Sequence, residues 1–376
     1  MTRRVLLWHW GRRGGGPRYT LELARAMAAR GDLEVHLSYS RDAEIRAEYE
    51  ALGLPGLPVD TYRGALHAAV SSLRLPLIRR RFERYIRDHG IDTVIGTMNH
   101  VWDVAVAPVI RPAGARFLFV LHDGLFHPGE ENAFRDWSIA RQIRLSDAMV
   151  TLSGHVRTQL TDLHGYPPER SRVIPHGVFA FGEADPRRYP AQRPLRLLFL
   201  GRILPYKGLD LLLDAYTALR RQAGSGPGVS LTIAGSGDLA PYAARLKDLP
   251  EVTLDHRWIA EEEIPLILEQ ADLVVLPYRE ASQSGVAACA YGAGLPVVAT
   301  PVGGLVEQIR DGETGLVAEA VTAEALAAAI ARLAGDPAFY EAASRAALAH
   351  ARNTLSWEAV AASFAEAVAG LPPLPR

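Results

Sequence analysis

One arginine and one lysine lie five positions apart in a glycine turn at Phe199–Gly208, with the sequence FLGRILPYKG. Arg202 and Lys207 follow the apolar run Leu195–Leu200, which is interrupted only by Arg196. Arginine offers a planar fork of donors and lysine a compact positive charge, and together they suit the oxygens of a diphosphate. The turn therefore predicts a diphosphate site, although two surface cations at a helix start would give the same pattern.

The segments on either side of this turn predict how it is held. The apolar run before it is typical of a strand buried on both faces of a parallel sheet. From about Leu209 to Arg221, apolar residues recur at three- and four-residue spacing, which predicts a helix packed on that sheet. Open α/β sheets bind their ligands at the carboxyl ends of strands, which is where the turn would lie.

Two further glycine-rich turns could bind a similar ligand. Near the N-terminus, Gly15 and Gly16 precede a helix that Pro17 can begin, and exposed amides at such a start favour an anion. The glycine spacing of a dinucleotide fingerprint is absent, and the next strand ends HLSYS without an acidic residue for a ribose. In the second half, LTIAGSGDL at Leu231–Leu239 is either another ligand turn or a place of close backbone packing.

A third loop follows the apolar run Asp272–Leu276. Ser282 or Ser284 can cap the helix that comes next. Glu280, just upstream, could accept hydrogen bonds from sugar hydroxyls, or it is an ordinary loop glutamate. The cap would leave three backbone amides free for the same phosphate, those of Gln283, Ser284 and Gly285.

Length and composition limit the protein class. A chain of 376 residues exceeds one ordinary core and predicts two domains. The formal charge of −1 and a pI near 6.9 give no electrostatic basis for nucleic-acid binding. Apolar runs are too short to span a bilayer, and the N-terminus enters a strand without room for a secretory leader. With a single cysteine, Cys289, no internal disulfide can form, and we expect a cytoplasmic protein.

The charge is unevenly distributed along the chain. Residues 1–180 contain 24 arginines and no lysine, against 19 acidic residues. The sharpest excess is in Ser71–Gly90, a basic and partly amphipathic helix candidate. Arg74–Arg87 could make peripheral contact with the inner face of a membrane, or it could be a solvated helix face.

Short apolar runs alternate with helical patterns in both halves, which predicts two parallel sheets covered by helices. The polar segment 182–194 contains three prolines and is the predicted hinge. We expect one domain at residues 1–182 and a second at 195–352. The predicted strands are Val5–His9, Leu33–Ser38, Thr93–Gly96, Arg116–Leu121, Ala148–Leu152, Arg172–Ile174, Leu195–Leu200, Val229–Ala234, Val252–Leu254, Asp272–Leu276, Pro296–Ala299 and Leu316–Ala318.

The chain resembles the family 4 glycosyltransferases of the GT-B fold over nearly its whole length. GRILPYKG matches the family's Gly-Arg and Lys-Gly phosphate motif, and Tyr278–Thr300 aligns with its paired-glutamate region, here with a Gln-Ser-Gly loop. FVLHDG supplies His122, where the family commonly has a cleft histidine. Further matches are VIPHGV at 173–178, GGLVEQIRDGETGLV at 303–317 and the late helix SWEAVAASFAEAVAG at 356–370.

The resemblance implies an α/β protein with two Rossmann-like doubly wound domains facing each other across a cleft. The first domain would bind the acceptor and the second a nucleoside-diphosphate sugar, such as a UDP- or GDP-sugar. A C-terminal helix, at about 355–372, would cross back to the first domain. The implied reaction is a retaining, metal-independent hexosyl transfer without a further cofactor, to a glycolipid, polysaccharide or secondary metabolite.

The resemblance also implies roles for individual residues. The catalytic group would be His122, Glu280, Arg202 and Lys207, with the two cations stabilising charge on the leaving diphosphate. Trp258 would contact the nucleobase, although simple packing would also explain it. The donor-binding set would be Gly15, Gly16, Gly201, Arg202, Lys207, Trp258, Gln283, Ser284 and Gly285.

The chain departs from the family at its paired glutamates. Ungapped alignment places Ala281 and Cys289 at those positions, and Glu280 reaches the first only after a one-residue slip. Cys289 is predicted to be a small buried helix residue. The missing second glutamate leaves two other functions open, a non-catalytic GT-B partner protein and a nucleotide-sugar epimerase or hydrolase.

Overall fold

A computed structural model describes residues 2–124, 133–179, 184–222, 228–249 and 252–371. The described residues form two compact units. Unit 1 contains residues 2–124, 133–175 and 357–371, and unit 2 contains the described residues from 176 to 356. Unit 1 is therefore interrupted in sequence by unit 2.

The sheet of unit 1 has six parallel strands in the order β2-β1-β3-β4-β5-β6. Because the chain adds β2 on one side of β1 and β3 on the other, the strand order reverses between β1 and β3. The strands are β1 (Arg3–His9), β2 (Leu33–Tyr39), β3 (Thr93–Gly96), β4 (Arg116–Leu121), β5 (Ala148–Thr151) and β6 (Ser171–Val173).

Helices cover this sheet, and one face is packed with aromatic rings. Trp8 of β1 lies 5.0 Å from the ring of Phe82 and 6.1 Å from that of Phe117 between centroids. Such rings bury large apolar areas, which stabilises the sheet. The helices are α1 (Gly15–Ala29), α2 (Arg46–Ala51), α3 (Ala65–Ser72), α4 (Leu75–Asp88), α5 (Asp103–Val106), α6 (Ala133–Leu145) and α7 (Gly154–His164).

The sheet of unit 2 repeats this plan in the order β12-β11-β10-β7-β8-β9, again all parallel. Its strand order reverses between β7 and β10. Side chains of β7 alternate between two buried clusters, with Leu197 and Phe199 in one and Leu198 and Leu200 in the other. The strands are β7 (Leu195–Leu200), β8 (Val229–Ala234), β9 (Val252–Asp255), β10 (Leu273–Leu276), β11 (Val297–Ala299) and β12 (Gly315–Val317).

Seven helices follow in the described part of unit 2, and one more returns to unit 1. Those of unit 2 are α8 (Leu209–Gln222), α9 (Ala243–Lys247), α10 (Ile264–Glu269), α11 (Gly285–Gly292), α12 (Leu305–Gln308), α13 (Ala323–Ala334) and α14 (Pro337–Asn353). The last, α15 (Trp357–Ala369), packs on α1, where the rings of Tyr19 and Trp357 lie 5.1 Å apart. Arg3 adds hydrogen bonds to the carbonyls of Val368 and Ala369 at the end of α15.

All twelve predicted strands are present, with ends that differ by at most two residues, and the predicted fold class is confirmed. One detail needs correction. The helix α1 begins at Gly15 rather than at Pro17, because Gly14 adopts a left-handed φ of 78° and acts as its N-cap. The described part of the predicted hinge, 184–194, lies within unit 2, where Arg187 donates to Ser344 and to the carbonyl of Ala293.

Candidate functional site

The predicted diphosphate turn lies at the carboxyl end of β7, next to the point where the strand order of unit 2 reverses. Lys207 ends a 3₁₀ turn, Pro205–Lys207, and Gly208 follows with a left-handed φ of 64°. A Cβ at Gly208 would lie 1.9 Å from the carbonyl oxygen of Pro277, so only glycine lets these two loops approach. The turn after β7 and the loop after β10 are thereby pressed together.

Contacts between these two loops fix Lys207. The amide of Arg279 donates to the carbonyl of Tyr206 at 2.7 Å. The Lys207 ammonium lies 3.7 Å from the ring centroid of Tyr278, which is the geometry of a cation–π contact. Burial raises the pKa of Tyr278 to about 12, so its hydroxyl stays protonated at neutral pH. Lys207 is half-buried and held over an uncharged ring, whereas Arg202 is exposed.

The glycine turn after β8 supports the first turn from the other side. A Cβ at Gly235 would lie 1.8 Å from the Gly201 carbonyl oxygen, and one at Gly237 would lie 2.3 Å from that of Ile203. The amide of Ile203 donates to the carbonyl of Ser236 at 2.8 Å. Close backbone packing therefore accounts for the glycines of LTIAGSGDL.

The loop after β10 leads into α11, whose N-cap is Ser284. Its side chain accepts a hydrogen bond from the amide of Ala287 at 3.4 Å, as one of the two predicted caps requires. The prediction that the Ser284 amide is free is wrong, because this amide donates to Oε1 of Gln308 at 2.9 Å. Among the described residues, the amides of Gly285 and Val286 meet no hydrogen-bond acceptor. Of the three predicted amides, only that of Ser284 is bonded: the Gln283 amide also meets no acceptor among the described residues, and the open amide of Val286 was not predicted.

Two other predicted residues of unit 2, Glu280 and Trp258, have different surroundings. Glu280 is half-buried in the loop after β10. Trp258 is 58% exposed and follows β9, which is separated from β7 by β8. Its neighbour Arg257 forms ion pairs with Asp255 and Glu263. The structure thus places Lys207 next to the loop that leads to α11, and it places Trp258 two strands away.

Cys289 is buried in α11, as predicted for a small helix residue. Burial raises the pKa of its thiol to about 12, so it is neutral at physiological pH. Ala281 is buried as well. The two positions that carry glutamates in the family are therefore apolar here.

In unit 1, His122 follows β4 and is only 8% exposed. Its Nε2 lies 2.8 Å from the carbonyl oxygen of Thr97, just after β3, and its ring lies 5.1 Å from that of Tyr19. Because a carbonyl can only accept, Nε2 carries the proton and Nδ1 is left as an acceptor. Burial lowers the pKa of His122 and keeps the ring neutral.

His9 is a neighbour of this site that the sequence analysis did not identify. It ends β1, it is 4% exposed, and burial lowers its pKa to about 4. A Cβ at Gly16 would lie 2.6 Å from Nε2 of His9, and one at Gly11 only 2.3 Å. Gly16 is thus required by packing against the ring, whereas Gly15, the first residue of α1, faces open space. Only the position of His9 at a strand end could have indicated it.

The predicted basic helix is α4, and it carries unpaired charge. Ile78, Phe82 and Ile86 are buried against the sheet, while Leu73 before the helix is 81% exposed. A cavity of about 200 Å³ lies beside it, lined in part by Leu57 and Val59. Five exposed arginines here form no ion pair with any described residue: Arg74, Arg79, Arg80, Arg81 and Arg84.

Within the described ranges, no group of three or more His, Cys, Asp or Glu side chains is placed to hold a metal ion. No described helix is both long and apolar enough to cross a membrane.

Comparison with known proteins supplies the family. A family model described as "Glycosyltransferase Family 4" matches residues 13–179, and one described as "Glycosyl transferases group 1" matches 194–336. Glycogen synthase of Mycobacterium tuberculosis is 31% identical over 281 residues, which are 71% of this chain and 66% of that protein. This match spans just under two thirds of the glycogen synthase.

A mannosyltransferase and a solved structure match over more of their length. The GDP-mannose-dependent alpha-(1-6)-phosphatidylinositol monomannoside mannosyltransferase of Mycolicibacterium smegmatis is 28% identical over 338 residues, 82% of this chain and 84% of that protein. The structure of Anabaena HepE in complex with UDP-glucose shares the fold, with a TM-score of 0.72, 17% identity and coverage of 98% of this chain and 100% of that one. The two family models between them match most of each unit, and the chain belongs to the family 4 glycosyltransferases.

Proposed function

We propose that the protein is a retaining glycosyltransferase that moves a hexosyl group from a nucleoside-diphosphate sugar to an acceptor. The observation that carries this proposal is the arrangement around the strand reversal of unit 2. Lys207 is held there by Tyr278, and α11 begins after the neighbouring strand with two open amides. Ligands of doubly wound sheets bind at such reversals.

The chemistry requires stabilisation of negative charge as the sugar leaves its diphosphate. The Lys207 ammonium, the Arg202 guanidinium and the amides of Gly285 and Val286 would stabilise this charge. Donors fixed before the reaction need not reorganise during it, and one such donor is typically worth about 3 kcal/mol. We expect these groups to suffice, so that a chelator leaves the rate unchanged.

We propose that His122 and Glu280 contact the sugar. The neutral His122 ring offers Nδ1 as an acceptor for a sugar hydroxyl, since Nε2 is bonded to Thr97. Glu280 offers a carboxylate in the loop that precedes α11. Gln283, beside Ser284, would contact the donor from the same loop.

The nucleoside is proposed to be uridine or guanosine. The M. smegmatis relative is named as GDP-mannose-dependent, and the Anabaena structure contains UDP-glucose. Because Cys289 is buried and neutral, it cannot replace a carboxylate as an acceptor for ribose hydroxyls. The exposed ring of Trp258 is the proposed contact for the base.

The acceptor is proposed to be a sugar, a lipid-linked sugar or a small molecule that binds unit 1. The unpaired arginines of α4 and the exposed Leu73 favour a cytoplasmic protein that binds the inner membrane face peripherally. A lipid-linked acceptor would be reached from this surface.

The proposal is tested by thermal unfolding in the presence of a panel of UDP- and GDP-sugars. One donor should raise the melting temperature, because a ligand that binds only the folded state at 100 times its Kd stabilises it by about 2.7 kcal/mol. Lys207→Ala should abolish this shift. Lys247, exposed on α9, is the only other lysine of the chain, and Lys247→Ala should leave the shift unchanged.

Transfer to acceptors should then be measured with the protecting donor, with and without EDTA. If no nucleotide or nucleotide sugar protects the wild-type protein, the proposed function is wrong. If transfer requires a divalent cation, the proposal that groups of the chain alone stabilise the charge on the leaving diphosphate is wrong.

A further inference from the structure

Gln308, the last residue of α12, binds both backbone groups of Ser284. Its Oε1 accepts from the Ser284 amide at 2.9 Å, and its Nε2 donates to the Ser284 carbonyl at 2.8 Å. Two hydrogen bonds in opposite directions fix the position and the orientation of the bonded peptide groups. A side-chain amide can form this pair because it carries a donor and an acceptor side by side.

The residue clamped in this way determines where α11 begins. Ser284 is the N-cap, with φ −135° and ψ 114°, and its side chain and carbonyl accept from Ala287 and Ala288. The amides of Gly285 and Val286 come directly after it. Holding Ser284 therefore sets the direction of the two amides that remain open at this end of the helix.

Gln308 is itself anchored on both sides. Its carbonyl accepts from the hydroxyl of Tyr291 in α11 at 3.3 Å, and its amide donates to the carbonyl of Gly304 at 3.1 Å. The amide of Gly304 in turn donates to the carbonyl of Ala281 at 2.9 Å. The segment 304–308 thus braces the loop after β10 at Ala281 and at Ser284.

We infer that Gln308 is a positioning residue for donor binding: it holds Ser284 so that the Gly285 and Val286 amides point at the diphosphate. This inference rests on the proposed function. Gln308 does not contact the donor, and it acts by orienting groups that do. Its loss should weaken the donor interaction and leave acceptor binding unchanged.

Two substitutions separate this role from a general structural one. Gln308→Leu removes both hydrogen bonds, and Gln308→Glu keeps an acceptor for the Ser284 amide but loses the donor. Glutamate also adds a negative charge close to the phosphate. If Gln308 only supported the fold, Gln308→Glu would be a milder change than Gln308→Leu. If Gln308 positions groups beside a diphosphate, Gln308→Glu should weaken donor binding at least as much as Gln308→Leu. Val306→Ala, on the exposed side of α12, is the control.

The experiment measures KM for donor and acceptor, kcat, and the Kd of the free nucleoside diphosphate for each full-length variant. Gln308→Leu should raise donor KM and the Kd of the nucleoside diphosphate about 10-fold, because the lost orientation is worth roughly the net free energy of one hydrogen bond. Gln308→Glu should raise them at least as much at low salt and recover partly at 1 M salt, where the screening length falls to about 3 Å. Acceptor KM should not change, and Val306→Ala should match the wild type.

Amide hydrogen exchange provides a readout without substrate. The Ser284 amide should exchange faster in Gln308→Leu than in the wild type, because it loses its acceptor, at an unchanged melting temperature. Wild-type donor affinity in both Gln308 variants would overturn the inference while leaving the proposed function intact. If the wild-type protein binds no nucleotide sugar, the proposed function fails first and the inference fails with it.

Discussion

Two histidines of unit 1 are held neutral by burial, and each has a different role at its strand end. His9 packs against the glycine turn before α1, and His122 bonds to the carbonyl of Thr97. Burial lowers the pKa of both, that of His9 to about 4. The neutral ring of His122 can accept a hydrogen bond from a hydroxyl at Nδ1, which a charged imidazolium could not do.

The same burial makes stability depend on pH. An unfolded histidine binds a proton near its ordinary pKa of about 6.5, whereas buried His9 binds one only when the pH falls to about 4. The unfolded state then binds more protons, so stability falls as the pH drops from 6.5 to about 4. We expect the melting temperature to decrease over this window and His9→Gln to reduce the slope. His67→Gln, at an exposed site on α3, should leave the slope as it is, and an equal change in both variants would contradict the assignment.

Cys289 shows what the sequence could and could not settle at this scale. Its place in an apolar helix, VAACAY, predicted a small buried residue, and the structure confirms this. A thiol can be buried without a partner, whereas a carboxylate there would need one. No pattern along the chain says which group takes over the hydroxyl contacts of the missing glutamate.

At the scale of elements, the turns after β7, β8 and β10 form one packed assembly. The strands and their parallel arrangement could be predicted, because apolar runs and glycine turns are local signals. The contact of Gly208 with Pro277 and the clamp of Gln308 on Ser284 could not be predicted, since they join residues far apart in sequence. The wrong assignment of the Ser284 amide has this cause: its acceptor lies 24 positions away.

Gly208→Ala tests whether this assembly is needed for donor binding. Both a left-handed φ of 64° and a Cβ 1.9 Å from the Pro277 oxygen oppose the change. Gly312 has a similar φ of 73° with no atom within 4 Å of its Cβ, which makes it a matched control. Gly312→Ala should cost roughly 1–2 kcal/mol, the price of the left-handed backbone alone.

Gly208→Ala should cost more than Gly312→Ala in urea unfolding, because the loops must also move apart. It should also lose the donor-induced rise in melting temperature, which Gly312→Ala should keep. Normal donor binding by Gly208→Ala would show that the two loops need not touch.

At the scale of the whole molecule, the exposed arginines of unit 1 fall into two groups, those that pair with a carboxylate and those that do not. Most exposed arginines pair with a carboxylate, such as Arg25 with Glu22 and Arg46 with Glu50. The arginines of α4 and its N-cap, apart from Arg87, have no such partner among the described residues. An unpaired cluster beside an exposed leucine is a surface that anionic lipid would stabilise.

Vesicle sedimentation with the intact chain tests this surface. Binding should require anionic phosphatidylglycerol in phosphatidylcholine vesicles and should weaken as salt rises. Replacing the five unpaired arginines with glutamine should abolish it, whereas Arg25→Gln with Arg46→Gln should not. Equal binding to neutral vesicles, or none to either kind, would identify α4 as a solvated helix face.

The return of α15 to unit 1 has a consequence for how the protein is made. A ribosome releases the strands of unit 1 first, then all of unit 2, and only afterwards the helix on which Tyr19 and Arg3 depend. The described residues of unit 2 all lie between 176 and 356, so this unit can complete its core while unit 1 still exposes the face of α1. Domains generally fold as units during synthesis, and exposed apolar surface promotes aggregation. The first unit to emerge is therefore the last to finish folding, and the nascent chain is most in need of chaperone protection at α1.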